Sequence, residues 1–378
     1  MQTFVPSAQS ASTPKPQVSS TFWRQIIGLA TLEATITIGW LAYEKYQPVL
    51  LEKFQFVELA ALLIVAQGLL GGIFHPVSGR LADKMSQRHG TKFPVIISGI
   101  AFAAVIFIAV SLAILTDPSS AFRWALPVLV ILWLAAMSTF HSPAISLVES
   151  FAPIDKFPRI AGVLATVFGL IYAIEPFVVM ILDAVGLTAT FILGGVLLAS
   201  AGYALKIITE SDAQYQAHEQ GKIEEKGQKD TAPVIVFAIG FFVGLFKSTI
   251  FFALPVFLLK ALPIFPNDDY VQSGILLASA VFSIPLSFVV DRLGAQKTMW
   301  MACGLALLVS VIGLMTTHPP TAYVMMIAAG AIYGLLSISA LPFILKRMSS
   351  GHVGWGVGLF YGGMAASTAV ITLLLFLR

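Results

Sequence analysis

The chain has 378 residues, 57% of them hydrophobic and only 11% charged, with a formal net charge of +3 and a mean hydropathy of +0.88. A soluble domain carries about 25% charged residues, so a water-soluble core cannot hide this much apolar surface. The small net charge gives no footing for nucleic-acid binding. Apolar runs long enough to cross a bilayer, roughly 20 residues each, recur along the whole chain.

Residues 1–21 are rich in Ser, Thr, Pro and Gln and lack an apolar segment. They are expected to be a disordered cytoplasmic tail and not a signal peptide. Six predicted spans follow, over 22–43, 55–78, 93–116, 122–147, 158–182 and 187–207. The polar stretch 208–231 reads as a cytoplasmic linker. Five more spans are predicted over 233–258, 270–290, 298–316, 321–344 and 353–377. This divides the chain into an N-terminal bundle (22–207) and a C-terminal bundle (232–378), an all-α polytopic fold of six plus five helices. Helix is the expected type, because a membrane segment must satisfy its own backbone hydrogen bonds. The alternating pattern of a membrane β-barrel is absent.

With the N-terminus in the cytoplasm, most of the 22 Lys and Arg fall on the inner side. That follows the positive-inside rule and predicts a multi-pass protein of the plasma (inner) membrane. The net charge of +3 then reflects topology. The single cysteine, Cys303, lies in an apolar span, permits no internal disulfide, and reads as packing.

Two charged, glycine-bearing segments interrupt the apolar runs. The first is Gly79-Arg80-Leu81-Ala82-Asp83-Lys84, continuing to Arg88-His89-Gly90-Thr91-Lys92. The second, about two hundred residues on, is Asp291-Arg292-Leu293-Gly294-Ala295-Gln296-Lys297. Both are read as turns at the membrane surface, since their charges are costly in hydrocarbon. Their matching places in the two halves indicate an internal repeat, the plan on which many secondary transporters are built.

These segments resemble the signature of the major facilitator superfamily, Gly-x-x-x-Asp-[Arg/Lys]-x-Gly-[Arg/Lys]-[Arg/Lys], which joins helices 2 and 3 and has a degenerate copy between helices 8 and 9. Gly79, Asp83 and Lys84 fit it directly. The extra residues before Gly90, with His75-Pro76 upstream and Phe93-Pro94 downstream, resemble the glycoside–pentoside–hexuronide and sucrose transporter branch. Thr91 departs from the usual basic residue, and Ser287 replaces the leading glycine of the second copy. Ser142-Pro143 through Arg159-Ile160-Ala161-Gly162 is similar to the family's segment between helices 4 and 5. The family has twelve helices, and the eleven predicted here imply a fold without helix 12.

The resemblance implies a cytoplasmic gate. Asp83, near the N-terminus of the eleventh helix and its positive dipole end, would latch the two bundles with Lys84, Arg88, Gly79 and Gly90. Asp291, Arg292, Gly294 and Lys297 would form the weaker mirror latch. Ionisable residues inside spans are functional candidates by default. Glu33 lies mid-way along the first span, Lys247 mid-way along the seventh, and Glu175 in the outer half of the fifth. In the family's fold Glu33 and Lys247 would face each other across the central cavity as a substrate- or proton-binding pair. A static ion pair is the bland alternative. His141, with His75, is either a proton relay or a polar residue of the inner vestibule.

The sequence therefore predicts a secondary transporter, not an enzyme. It would move a small polar solute, sugar-like by the loop resemblance, by alternating access with proton coupling. The alternative is a non-transporting membrane factor that binds a partner or delivers a pigment or lipid. No metal-ligand cluster or cofactor motif is present in the sequence. The expected partners are a small-molecule solute, protons and the lipid bilayer, with no nucleic acid; oligomeric state is open.

Overall fold

The computed structural model describes residues 21–115, 124–212, 215, 230–349 and 351–377. Among them every regular element is a helix. In chain order the long helices are α1 (Trp23–Lys53), α2 (Ala60–His89), α3 (Phe93–Leu115) and α4 (Ala125–Ser146). Next come α5, in two pieces (Phe157–Ala173 and Glu175–Val185), and α6 (Leu187–Glu210). Helix α7 runs over Pro233–Ser248 and continues through a π-helical stretch at Thr249–Ala253 into Leu254–Leu258. The last four are α8 (Asp268–Leu293), α9 (Ala295–Met315), α10 (Pro319–Leu345) and α11 (Val353–Phe376). Ten of these spans are long and apolar enough to cross a membrane, and the two pieces of α5, bent by 61°, make the eleventh. The predicted tail, apart from Thr21, and the polar stretch from 216 to 229 lie outside the described residues.

Two boundaries differ from the sequence reading in a way that matters. The first signature segment was expected to be a turn, yet α2 runs on through Gly79, Asp83 and Arg88 to His89. Its Arg, Leu, Ala, Lys, Met and Gln residues are good helix formers, and their long stems let the charges reach past the membrane surface. The helix stops only at Gly90, whose φ of 72° is the left-handed cap that glycine takes without penalty. Asp291 and Arg292 likewise sit in the last turn of α8, and Gly294, at φ 86°, ends it.

Helix α3 packs on α4 and α6, α1 on α6, and α2 on α4; in the second half α8 and α9 pack on α10, and α7 on α11. The halves meet along two seams: α2 against α11, and α5 against α8 and α10. Small residues make these seams close, as expected where lipid offers no hydrophobic drive for helix association. At Gly79 an added Cβ would lie 2.0 Å from the Gly354 carbonyl oxygen, and at Gly358 one would lie 2.2 Å from that of His75. Both obstructions are backbone, so only glycine fits.

Candidate functional site

At one end of the molecule, called here the latch end, the α2–α11 seam closes on Asp83. Its carboxylate accepts hydrogen bonds from the backbone N–H of Gly354 (2.9 Å) and Trp355 (2.7 Å), in the first turn of α11. Those donors have no partner within the helix, and the positive end of the helix dipole favours an anion there. Lys92 completes the contact. Its ammonium lies 3.4 Å from Asp83 and donates to the Ser146 hydroxyl at 3.0 Å. Asp83 and Lys92 are both buried, 4% and 6% exposed. Gln87 donates to the Gly351 carbonyl (2.9 Å), and the Arg80 guanidinium stands 5.6 Å from the Trp355 ring.

Lys84 and Arg88 are exposed and make no ion pair with the described residues, so the cation that reaches Asp83 is Lys92. The mirror segment makes a simpler contact. Arg159 of α5 donates to Asp291 of α8 at 3.1 Å and stacks 5.0 Å from the Phe288 ring. Arg292, Gly294 and Lys297 are exposed beside it.

Midway along the helices the two halves enclose a partly exposed group of polar side chains. Helix α1 carries Glu33, and α4 carries His141, whose Nε2 is 3.3 Å from Glu33 Oε2. That oxygen makes no hydrogen bond among the described residues. Tyr361 of α11 stacks edge-on to His141 (4.9 Å between centroids). Behind them His75 Nδ1 is 2.8 Å from the Ser142 hydroxyl. From the other half, the Lys247 ammonium on α7 sits 4.5 Å from the Tyr333 ring centroid on α10, a cation–π contact. Lys247 forms no ion pair within 4.0 Å among the described residues. Glu33 and Lys247, expected from the sequence to face each other across the cavity, make no direct ion pair among the described residues; each has its own partner, one in each half, with Glu33 close enough to act on Lys247 electrostatically. Glu33, His141, Lys247 and Tyr361 all remain partly exposed.

Glu175 stands apart from this group, at the break in α5, with one buried carboxylate oxygen that lacks a hydrogen-bond partner. Glu44 and Tyr172, which the sequence reading passed over, lie on the same side: the Tyr172 hydroxyl donates to Glu44 Oε2 at 3.4 Å. A helical-wheel count would have found Glu44. It follows Glu33 by eleven residues, with Thr37 and Trp40 between, which puts all four on one face of α1.

Two helical bundles meeting along two small-residue seams, with an ionisable group at the centre and a buried charged contact at one end, have the organisation of a membrane transporter. The Major Facilitator Superfamily model matches residues 46–372, and the chain belongs to that family. No curated protein sequence matches it. Among solved structures it is similar to the human organic anion transporter MFSD10 (TETRAN), with a TM-score of 0.66 and 12% identity over 96% of this chain and 93% of that one. It is also similar to a bacterial homologue of the iron transporter ferroportin, with a TM-score of 0.62 and 16% identity over 92% and 90% of the two chains. At these identities the likeness shows the fold alone.

Proposed function

We propose that the chain moves a small solute with an anionic group by alternating access, coupled to protons through Glu33 and His141. One observation carries this reading. The central group offers an acid–imidazole pair from one half and, from the other, an ammonium that rests on an aromatic face and feels the Glu33 carboxylate without a direct ion pair among the described residues. A solute carboxylate or other anion would give Lys247 a direct counter-charge. An unpaired charge at this depth costs about 2.5–3.5 kcal/mol on insertion scales, so binding is favoured there. Glu33 and His141 share the proton that accompanies the solute. A neutral sugar keeps the support of the loop resemblance; the ammonium at the centre favours an acid sugar or another organic anion.

The Lys and Arg bias supports a cytoplasmic latch end in a plasma membrane, with the N-terminus inside. The polar stretch 208–231 then joins the two bundles on that side. Asp83 with Gly79, and Asp291 with Arg159, hold the seams shut there. The test is uptake into proteoliposomes from a panel of organic anions, amino acids and sugars, with and without an imposed pH gradient. Glu33→Gln is expected to abolish the response to the gradient while leaving exchange at equal solute concentrations. Gradient-driven uptake at the wild-type rate in Glu33→Gln would refute the proton assignment.

A further inference from the structure

The central group is partly exposed and Glu44, further from the latch end, is exposed, but a largely buried aromatic layer lies between them. Measured along α1 at the helical rise, Glu44 is about 16 Å beyond Glu33. Glu44 is exposed, and Glu33 is partly exposed. Tyr172, Phe251 and Tyr333, by contrast, are only 4%, 5% and 5% exposed. The Tyr172 and Phe251 rings meet edge-on at 5.0 Å, and Phe251 and Tyr333 are 6.1 Å apart. Phe168 joins the layer at 4.8 Å from Tyr172 and 6.2 Å from Tyr333. Two of these rings belong to α5 of the first half, and two to α7 and α10 of the second. The layer therefore crosses the boundary between the halves.

Three of the four rings sit at places where their helices are irregular or tied to the centre. Tyr172 precedes the break in α5, three residues before the outer piece begins at Glu175 and turns away by 61°. Phe251 lies in the π-helical stretch of α7, one turn beyond Lys247. Such stretches occur frequently at functional sites, because the extra residue lets the helix deform locally. Tyr333 bears the Lys247 ammonium on its face. Tyr172 is held from three sides: its hydroxyl on Glu44 of α1, its carbonyl on the Ser273 hydroxyl of α8 (3.1 Å), and its ring on Phe251 of α7.

The geometry points to Tyr172, positioned by Glu44, as the outer gate residue of the central site. It closes the site on the side opposite the Asp83 latch by stacking on Phe251. The assignment rests on the central group being the solute site, and it goes beyond that reading by naming what separates the site from the far side. Lys247 links the two. A solute anion that draws the ammonium off Tyr333 removes one of the contacts that hold the layer together.

Access to a thiol placed behind the layer tests this. Ser337 is suitable: it is partly exposed, one turn nearer the latch end than Tyr333 on the same face of α10. In a Cys303→Ser background carrying Ser337→Cys, the labelling rate is measured with a membrane-impermeant maleimide added from the far side. The expected parent rate is slow. Tyr172→Ala is expected to raise it about tenfold, a loss of roughly 1.4 kcal/mol of closure. Tyr172→Phe and Glu44→Ala, which keep the ring but release it from α1, are expected to give about two- to threefold, a few tenths of a kcal/mol. Glu52→Cys, exposed at the end of α1, is the reference and should label equally in all backgrounds. Phe251→Leu opens the same layer from the other half and replaces Tyr172→Ala if that variant does not elute as a single folded species. A parent already labelled as fast as the reference, or a rate unmoved by both large-to-small variants, overturns the gate. Labelling reports access and not transport, so failure of the solute assignment would leave these rates as stated.

Discussion

Replacing Asp83 by Asn removes the charge from the latch and keeps its shape. The side chain now accepts two N–H bonds from α11 and faces one buried ammonium. An amide offers one acceptor oxygen, so one bond is lost and the other becomes neutral. Hydrogen bonds to charged groups are worth about 1.5–3 kcal/mol and neutral ones about 0.5–1.5. The change therefore costs the latched state about 2.5–4 kcal/mol, with Lys92 left beside a neutral partner. At roughly 1.4 kcal/mol per tenfold, the ratio of closed to open latch end should fall by about two to three orders of magnitude. In the Cys303→Ser background, spin labels at His89→Cys and Leu293→Cys, both exposed at the latch end of opposite halves, report the separation by pulsed electron resonance. The expected result is a shift of most molecules to the longer distance, with slowed transport. Gln87→Ala, which loses one exposed bond to Gly351, should shift the distribution far less. An unchanged distribution in Asp83→Asn would refute the claim that the charge on α11 holds the seam.

Three further outcomes follow from separate contacts. Gly79→Ala and Gly358→Ala each push a methyl group into opposing backbone, and each should lower thermal stability by about 1–3 kcal/mol, the usual cost of overpacking. Gly304→Ala, with nothing within 4 Å of the added atom, should leave the melting temperature unchanged. Lys247→Ala should express and fold, because Glu33 keeps His141, but should lose solute-induced thermal stabilisation; full retention of that shift would remove Lys247 from the site. At the latch end, burial pushes the Asp230 carboxyl up, but hydrogen bonds from Ser349 and His352 outweigh it and hold it below the usual carboxylate range. A depressed carboxyl contributes stability above its unfolded value and loses it as pH falls through the folded one. Protection of the Ser349 amide, taken relative to the intrinsic exchange rate at each pH, should therefore persist through neutral and mildly acid pH and fall only below the ordinary carboxylate range, a protection that Asp230→Ala removes.

The class of the protein was legible because it rests on composition and on repeats of whole segments, both of which survive errors of several residues. Gly79 and Asp83 were legible for a similar reason: they belong to a spaced motif whose partner, the start of α11, could be named from the fold the motif implies. The cation beside Asp83 was not. Lys92 is nine residues further along, beyond the cap at Gly90, and whether it returns to Asp83 depends on where α2 ends. A predicted helix ending at residue 78 makes Lys84 and Arg88 the natural neighbours; a helix ending at His89 turns both outward and brings Lys92 back.

The central group shows the same limit at greater depth. Glu33, His141 and Lys247 were found because a charge inside an apolar run is visible in one dimension. Their pairing is a matter of rotation about three helix axes, which apolar sequence on all sides does not define, since lipid-facing and core-facing residues look alike. Glu44 was lost to a boundary: the first predicted span ends at residue 43, whereas α1 continues to Lys53 and carries Glu44 along the same face as Glu33. Tyr172 carried no signal of its own, being one aromatic residue among the 11% that the chain contains. Its place is defined by the break at Glu175-Pro176 that follows it, and by a ring on α7 that no local pattern connects to it. Residues that close a path between two bundles must be ordinary within each bundle, because in the open state each has to pack or hydrate without the other. What marks them is the contact across the boundary, and that contact exists only once both halves are in place.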